Sequence, residues 1–121
     1  MATPNRLPPL ELEAMKALWR LGEATVRQVQ AEMGRHRRFA YTTVMTLLDR
    51  LARKGAAARR KQGRAHLYRP VLSRDVALHL ALDRLTNDFF DGSQRRLLDH
   101  LQGEPSAPSQ DSEEPLDATL L

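Results

Sequence analysis

The sequence predicts a mainly α-helical fold that carries one small β-hairpin. Three observations point there. Apolar residues recur every three or four positions in several segments of a 121-residue chain, and the segments are bounded by Gly, Pro or hydroxyl caps. A single glycine-centred turn, Gln62-Gly63-Arg64, separates two short runs of strand length. From Gly103 onward Pro, Ser and acidic residues dominate, which confines the folded part to the residues before it.

Pro8 and Pro9 suit the first turn of a helix, where a missing N–H costs nothing. Leu10, Ala14, Leu18 and Leu21 then recur at helical spacing with Met15 and Trp19 flanking them, and Gly22 supplies the stop. Thr25-Val26-Arg27-Gln28 has the capping-box pattern, so a second helix is expected from Val26, with Val29 and Met33 inward and Gly34 at its end. Arg35-His36-Arg37-Arg38 reads as a basic loop. In Ala40–Lys54, Val44, Leu47, Leu48 and Leu51 fall on one helix face. The opposite face carries Thr42, Thr46, Asp49 and Arg53, flanked by Thr43 and Arg50, and Gly55 closes the helix.

Ala56–Lys61 and Ala65–Val71 are the expected hairpin strands, although Ala56-Ala57-Ala58 is a poor strand former. Ser73 is positioned to cap a fourth helix. Along it Leu78, Leu82, Leu85 and Phe89 alternate steps of four and three, the spacing of a helix–helix seam. Leu97, Leu98 and Leu101 extend the apolar patch beyond a break at Gly92. The expected organisation is a helical domain with the hairpin over residues 1–72, a second helical region carrying the seam over 73–102 and a disordered acidic tail over 103–121.

Composition narrows the function classes. With 41% hydrophobic and 28% charged residues the balance is that of a globular domain. No apolar run approaches the ~20 residues of a membrane span, and Met1–Arg6 lead into no apolar segment, so a cytoplasmic protein without membrane insertion is expected. The absence of cysteine removes disulfides, thiol nucleophiles and cysteine-based zinc sites. The net charge of +4 conceals a division of sign: eleven bases against the single acid Asp49 between Arg35 and Arg69, and five acids with no base from Glu104 onward. Such a basic block asks for a polyanionic partner to relieve its self-repulsion.

Helix, short helix, helix and basic hairpin in that order is the arrangement of a winged helix-turn-helix. A helix that packs by its apolar face presents the threonines and arginines of its other face to a major groove, and its N-terminal end, near Tyr41, Thr42 and Thr43, is the end that touches base edges. The expected DNA-binding residues are Tyr41, Thr42, Thr43, Thr46, Arg50 and Arg53 on the helix and Arg37 and Arg38 before it. Arg60, Lys61 and Arg64, with Arg59, stand on the wing where backbone phosphates or a minor groove would lie. The expected dimerisation residues are Leu78, Leu82, Leu85, Phe89, Leu97, Leu98 and Leu101.

Several stretches of this sequence resemble the BlaI/MecI penicillinase-repressor family. They are Leu7-Pro8-Pro9-Leu10-Glu11-Leu12-Glu13-Ala14-Met15 with Leu18-Trp19, Tyr41-Thr42-Thr43-Val44-Met45-Thr46-Leu47-Leu48-Asp49-Arg50-Leu51, Lys54-Gly55, and the hairpin from Arg59 to Tyr68. The resemblance covers about residues 7–101. It implies a homodimeric transcriptional repressor that holds a dyad operator upstream of genes such as β-lactamases. It also implies release by a membrane sensor metalloprotease that cuts the dimerisation region. Two features depart from the pattern: Asp99-His100 stands where staphylococcal-type repressors have the cleaved Asn-Phe bond, and the C-terminal cysteines of the copper-responsive branch are absent.

Enzyme readings find little support. The histidines His36, His66, His79 and His100 are scattered without metal-ligand spacing, no phosphate-binding glycine loop follows a strand, and neither a catalytic residue nor a cofactor is expected. His79 and Asp83 share a helix face, as surface pairs often do. Tyr41 and Tyr68 read as packing residues with a polar tip. The alternative class is an interaction module, an adaptor or antirepressor that uses the leucine seam. RNA is a weaker partner for this sequence, because aromatic residues for base stacking are few.

Overall fold

The computed structural model describes residues 7–35 and 37–103. Its elements follow in the order α1 (Pro9–Leu21), β1 (Ala24–Thr25), α2 (Val26–Met33), α3 (Tyr41–Lys54), β2 (Ala57–Gln62), β3 (Ala65–Pro70), α4 (Arg74–Phe90) and α5 (Gln94–Leu101). The fold is mainly α with a small antiparallel wing, as the periodicity predicts. His36 of the basic loop and residues 104–121, most of the expected acidic tail, lie outside the described residues.

The first three helices pack around one apolar core. Ala14, Met15, Ala17 and Leu18 of α1 are buried, and the two alanines let neighbouring backbones approach closely. The predicted stripe was offset at its end: Leu21, the last residue of α1, is exposed, because the chain turns away at Gly22 with φ 81°. Trp19 is half-buried and its indole N–H donates to the Leu72 carbonyl at 2.9 Å, fastening α1 to the segment after the wing. Buried Glu11 of α1 pairs with Lys54 of α3, so that the charge is compensated where it is desolvated.

The α2 start realises the capping box. Thr25 Oγ1 accepts from the Gln28 amide at 3.2 Å, and Gln28 Oε1 accepts from the Thr25 amide at 2.8 Å. Val26, Val29 and Met33 are its buried residues. Val44, Leu47, Leu48 and Leu51 form the buried face of α3, which ends at Gly55 in the left-handed region, φ 82° and ψ 6°. A residue with a Cβ is disfavoured there.

The sheet has strand order β1-β3-β2, both pairs antiparallel. The hairpin strands lie within a residue of the expected ones, and the loop Gly63-Arg64 has glycine first at φ 62°, the position that a type II′ turn reserves for it. The third strand, β1, escaped the sequence reading: two residues carry no alternation to read, and its partners Tyr68 and Leu67 are more than forty positions away. Weak propensity at Ala57 is overruled by burial, since it and the preceding Ala56 are almost fully covered.

The chain divides into two compact units, residues 1–80 and 81–121, and α4 runs from one into the other. In the first unit Ser73 Oγ accepts from the Val76 amide at 3.1 Å, and Ala77 and Leu80 lie half-buried against the core. In the second, the Thr86 hydroxyl donates to the Leu82 carbonyl at 2.7 Å, Asp91 and Gly92 both adopt positive φ, and Ser93 caps α5. Phe90 and His100 rings lie 5.8 Å apart. His79 pairs not with Asp83, as the shared face suggested, but with Asp75 one turn earlier, at 3.9 Å. No helix among the described residues is long and apolar enough to cross a membrane.

Candidate nucleic-acid interface

The buried stripe of α3 dictates what its other face shows. Thr42, Thr43, Thr46, Arg50 and Arg53 are all exposed. Tyr41 opens the helix, 41% exposed, with the Arg27 guanidinium of α2 5.3 Å from its ring centroid. Ahead of α3, Arg37 lies 4.8 Å over the Phe39 ring and Arg38 is exposed. Gln30 Nε2 donates to the Phe39 carbonyl at 2.9 Å, which ties this loop to α2.

Asp49 corrects the sequence reading. Placed there on the solvent face, it is instead half-buried: its Oδ1 accepts from the Tyr68 hydroxyl at 2.7 Å and lies 3.4 Å from Arg59 Nη1. Tyr68 is almost fully covered, a packing residue with a polar tip as expected. Burial, and then the hydrogen bond to the Asp49 carboxylate, hold its phenol above the ordinary tyrosine value.

Alternation along β2 sends successive arginines to opposite faces. Arg59 turns toward Asp49 of α3, and Arg60 toward Glu23 in the turn before β1, where Nε and Nη2 donate at 2.6 and 2.8 Å. The hydrogen bond from Arg60, aided by the charges of Arg60 and Arg69, holds Glu23 below the usual carboxylate value. Arg60 was expected as a phosphate contact on sequence alone; in the structure a carboxylate already occupies its fork. Lys61 and Arg64 at the hairpin tip, like Arg38, Arg50 and Arg53, have no carboxylate partner among the described residues.

Between the start of α3 and the wing lies an open cleft of about 490 Å³. Arg27, Arg59, Arg64 and His66 give it a basic rim over Tyr41 and Met45. Arg27 on this rim is not marked by the sequence, because within the capping box it reads only as a helix-start position. Its proximity to Tyr41 is the signal that only the fold supplies. On α4, Leu78, Leu82, Leu85 and Phe89 are all exposed, and on α5 Leu98 and Leu101 are exposed while Leu97 is half-buried.

Comparison with known proteins agrees with this geometry. The family model described as penicillinase repressor matches residues 7–120. The chain is 42% identical over 102 residues to a "Transcriptional regulator BlaI" of Mycobacterium tuberculosis, covering 83% of this chain and 74% of that protein. It is 28% identical over 100 residues to a "Penicillinase repressor" of Bacillus licheniformis, covering 78% of each. Among solved structures, the DNA-binding domain of the repressor BlaI superposes with a TM-score of 0.55 at 29% identity, over 63% of this chain and 93% of that one. The monomeric form of Bacillus licheniformis BlaI in complex with the blaP half-operator gives 0.52 at the same identity and coverage. The chain belongs to the penicillinase repressor family.

Proposed function

We propose that this BlaI-type transcriptional repressor, whose winged helix is its DNA-binding domain, acts as a homodimer that places one α3 in each half of a dyad operator. The observation that carries the reading is the outward face of α3. Three threonines and two arginines stand there beside a wing tip whose Lys61 and Arg64 are free of carboxylates among the described residues. Threonines and arginines read base edges, while the tip and Arg38 meet phosphates. A relative solved on a half-operator supports placing the same domain on DNA.

Dimerisation is assigned to the exposed leucines of α4 and α5, since a helix-turn-helix monomer reads only one half-site. Release is assigned to a protease, with a membrane sensor metalloprotease as the partner. The break at Asp91-Gly92-Ser93 is the better substrate, because Asp99-His100 lies within the hydrogen-bonded turns of α5. The repressor acts on duplex DNA in the cytoplasm and needs no cofactor.

The test is selection of duplexes from a random pool, followed by a salt titration of the selected duplex and a scrambled one. Enrichment of a dyad sequence and a log-linear loss of affinity with salt are expected. Failure to bind any duplex at low salt would sink the reading and favour an adaptor that uses the leucine seam.

A further inference from the structure

Asp49 stands among the residues assigned to DNA reading, with Thr46 one turn before it, Arg53 one turn after it and Arg50 beside it, yet its carboxylate serves the wing. Its Oδ1 takes both the Tyr68 hydroxyl at 2.7 Å and the Arg59 guanidinium at 3.4 Å. Tyr68 and Arg59 are register partners on β3 and β2, so one oxygen atom holds both wing strands at the same rung. Tyr68 is covered, whereas Arg59 is exposed at the rim of the cleft with Arg27 and Arg64.

We propose that Asp49 is a positioning residue that sets operator discrimination, an inference that rests on the DNA-binding reading above. Two effects follow from its geometry. Through Tyr68 it fixes the wing on α3, so that groove and phosphate contacts are made together without ordering the hairpin on binding. Through Arg59 it neutralises a cation that would otherwise add a sequence-independent phosphate contact. The first favours the operator, where groove and phosphate contacts must be met together; the second lowers affinity for every duplex and with it the salt slope. The sequence hides this role, because Asp49 lies on the helix face that also carries Thr42, Thr46 and Arg53.

The experiment uses the full chain, the duplex it selects most strongly from a random pool, and a scrambled duplex of equal length. Asp49→Asn keeps the size and an acceptor for Tyr68 while releasing Arg59. It should bind the scrambled duplex more tightly, with a salt slope steeper by about 1.8, one extra phosphate contact from each protomer of the dimer. Its operator-to-scrambled ratio should fall about threefold to tenfold, because the hydrogen bond from Tyr68 loses its charge-assisted acceptor and the wing is held less firmly. Adding Arg59→Gln should return the slope to that of the parent chain. Tyr68→Phe should lower the ratio and leave the slope alone. The proposal is overturned by an Asp49→Asn chain with unchanged slope and ratio, whether or not it melts lower, or by a steeper slope that survives Arg59→Gln. A parent chain that selects no duplex would instead overturn the DNA reading, before any variant is compared.

Discussion

Arg60 and Glu23, 37 residues apart, meet through two hydrogen bonds of 2.6 and 2.8 Å, one to each carboxylate oxygen. The forked geometry pins β2 to the turn that follows α1, while Asp49 holds the other face of the same hairpin from α3. The wing is therefore attached to the helical body from two sides by two acids. Arg20 and Arg35 hold Glu32 in the same manner between α1 and α2, at 2.6 and 3.4 Å.

These pairs give acid sensitivity a definite sign. The hydrogen bond from Arg60 lowers the Glu23 pKa from its ordinary 4.5, and that from Arg20 lowers Glu32 likewise. A carboxyl group depressed on folding contributes stability that is present above pH 4.5 and is lost as the pH falls through the folded value. The melting temperature of the chain should thus fall more steeply below pH 4.5 than that of a Glu23→Gln/Glu32→Gln variant. Parallel pH profiles would show that neither pair outlasts solvent screening.

Operator binding should separate the two parts of the interface. Thr46→Ala or Arg50→Ala should weaken the selected operator by about 1–3 kcal/mol with less effect on a scrambled duplex. Arg64→Ala should weaken both alike and lower the salt slope by about two units, one for each protomer of the dimer. Arg60→Ala should change the slope less than Arg64→Ala, because its charge is already met by Glu23. Equal losses on both duplexes for all four variants would contradict the division into reading helix and wing.

How much of this was legible follows from the range of each interaction. Local signals gave the helices: the Thr25 box, the Val44–Leu51 stripe and the Ser73 cap are set by neighbours within a turn. The hairpin was legible through Gly63. What depends on contacts between distant segments was not: β1, the inward turn of Asp49, the Glu23–Arg60 fork and Arg27 on Tyr41. A charge on a helix face reads the same in sequence whether water or a tyrosine hydroxyl meets it.

Packing gives a direct check on the corrected α1 face. Leu18 is fully buried, and Leu18→Ala should cost about 2–5 kcal/mol of unfolding free energy in urea. Leu21→Ala, at an exposed position, should cost less than about 1 kcal/mol. Comparable losses would restore Leu21 to the core.

The leucines of α4 should hold the dimer. Leu82→Asp places a charge in the seam, where unpaired burial is costly. Sedimentation should then report monomers that have lost operator affinity, with the first unit still melting cooperatively. A variant that remains dimeric would locate the interface elsewhere.

The acidic C-terminal segment supplies the last test. Residues 104–121 carry five acids and no base, with three prolines and few apolar side chains. Such a composition has little to bury, so its deletion should leave dimerisation unchanged, and operator binding unchanged at high salt. Truncation at Asp91 should weaken both, because it removes α5 with Leu97, Leu98 and Leu101. The deleted charge has one further consequence. Five tethered negative charges compete with duplex phosphates for Lys61 and Arg64, and the competition is strongest where salt does not screen it. Removing residues 104–121 should therefore tighten binding to a scrambled duplex at low salt and leave it unchanged at high salt. Loss of the dimer on the same deletion would mean that this segment belongs to the interface and that the boundary near Gly103 is misplaced.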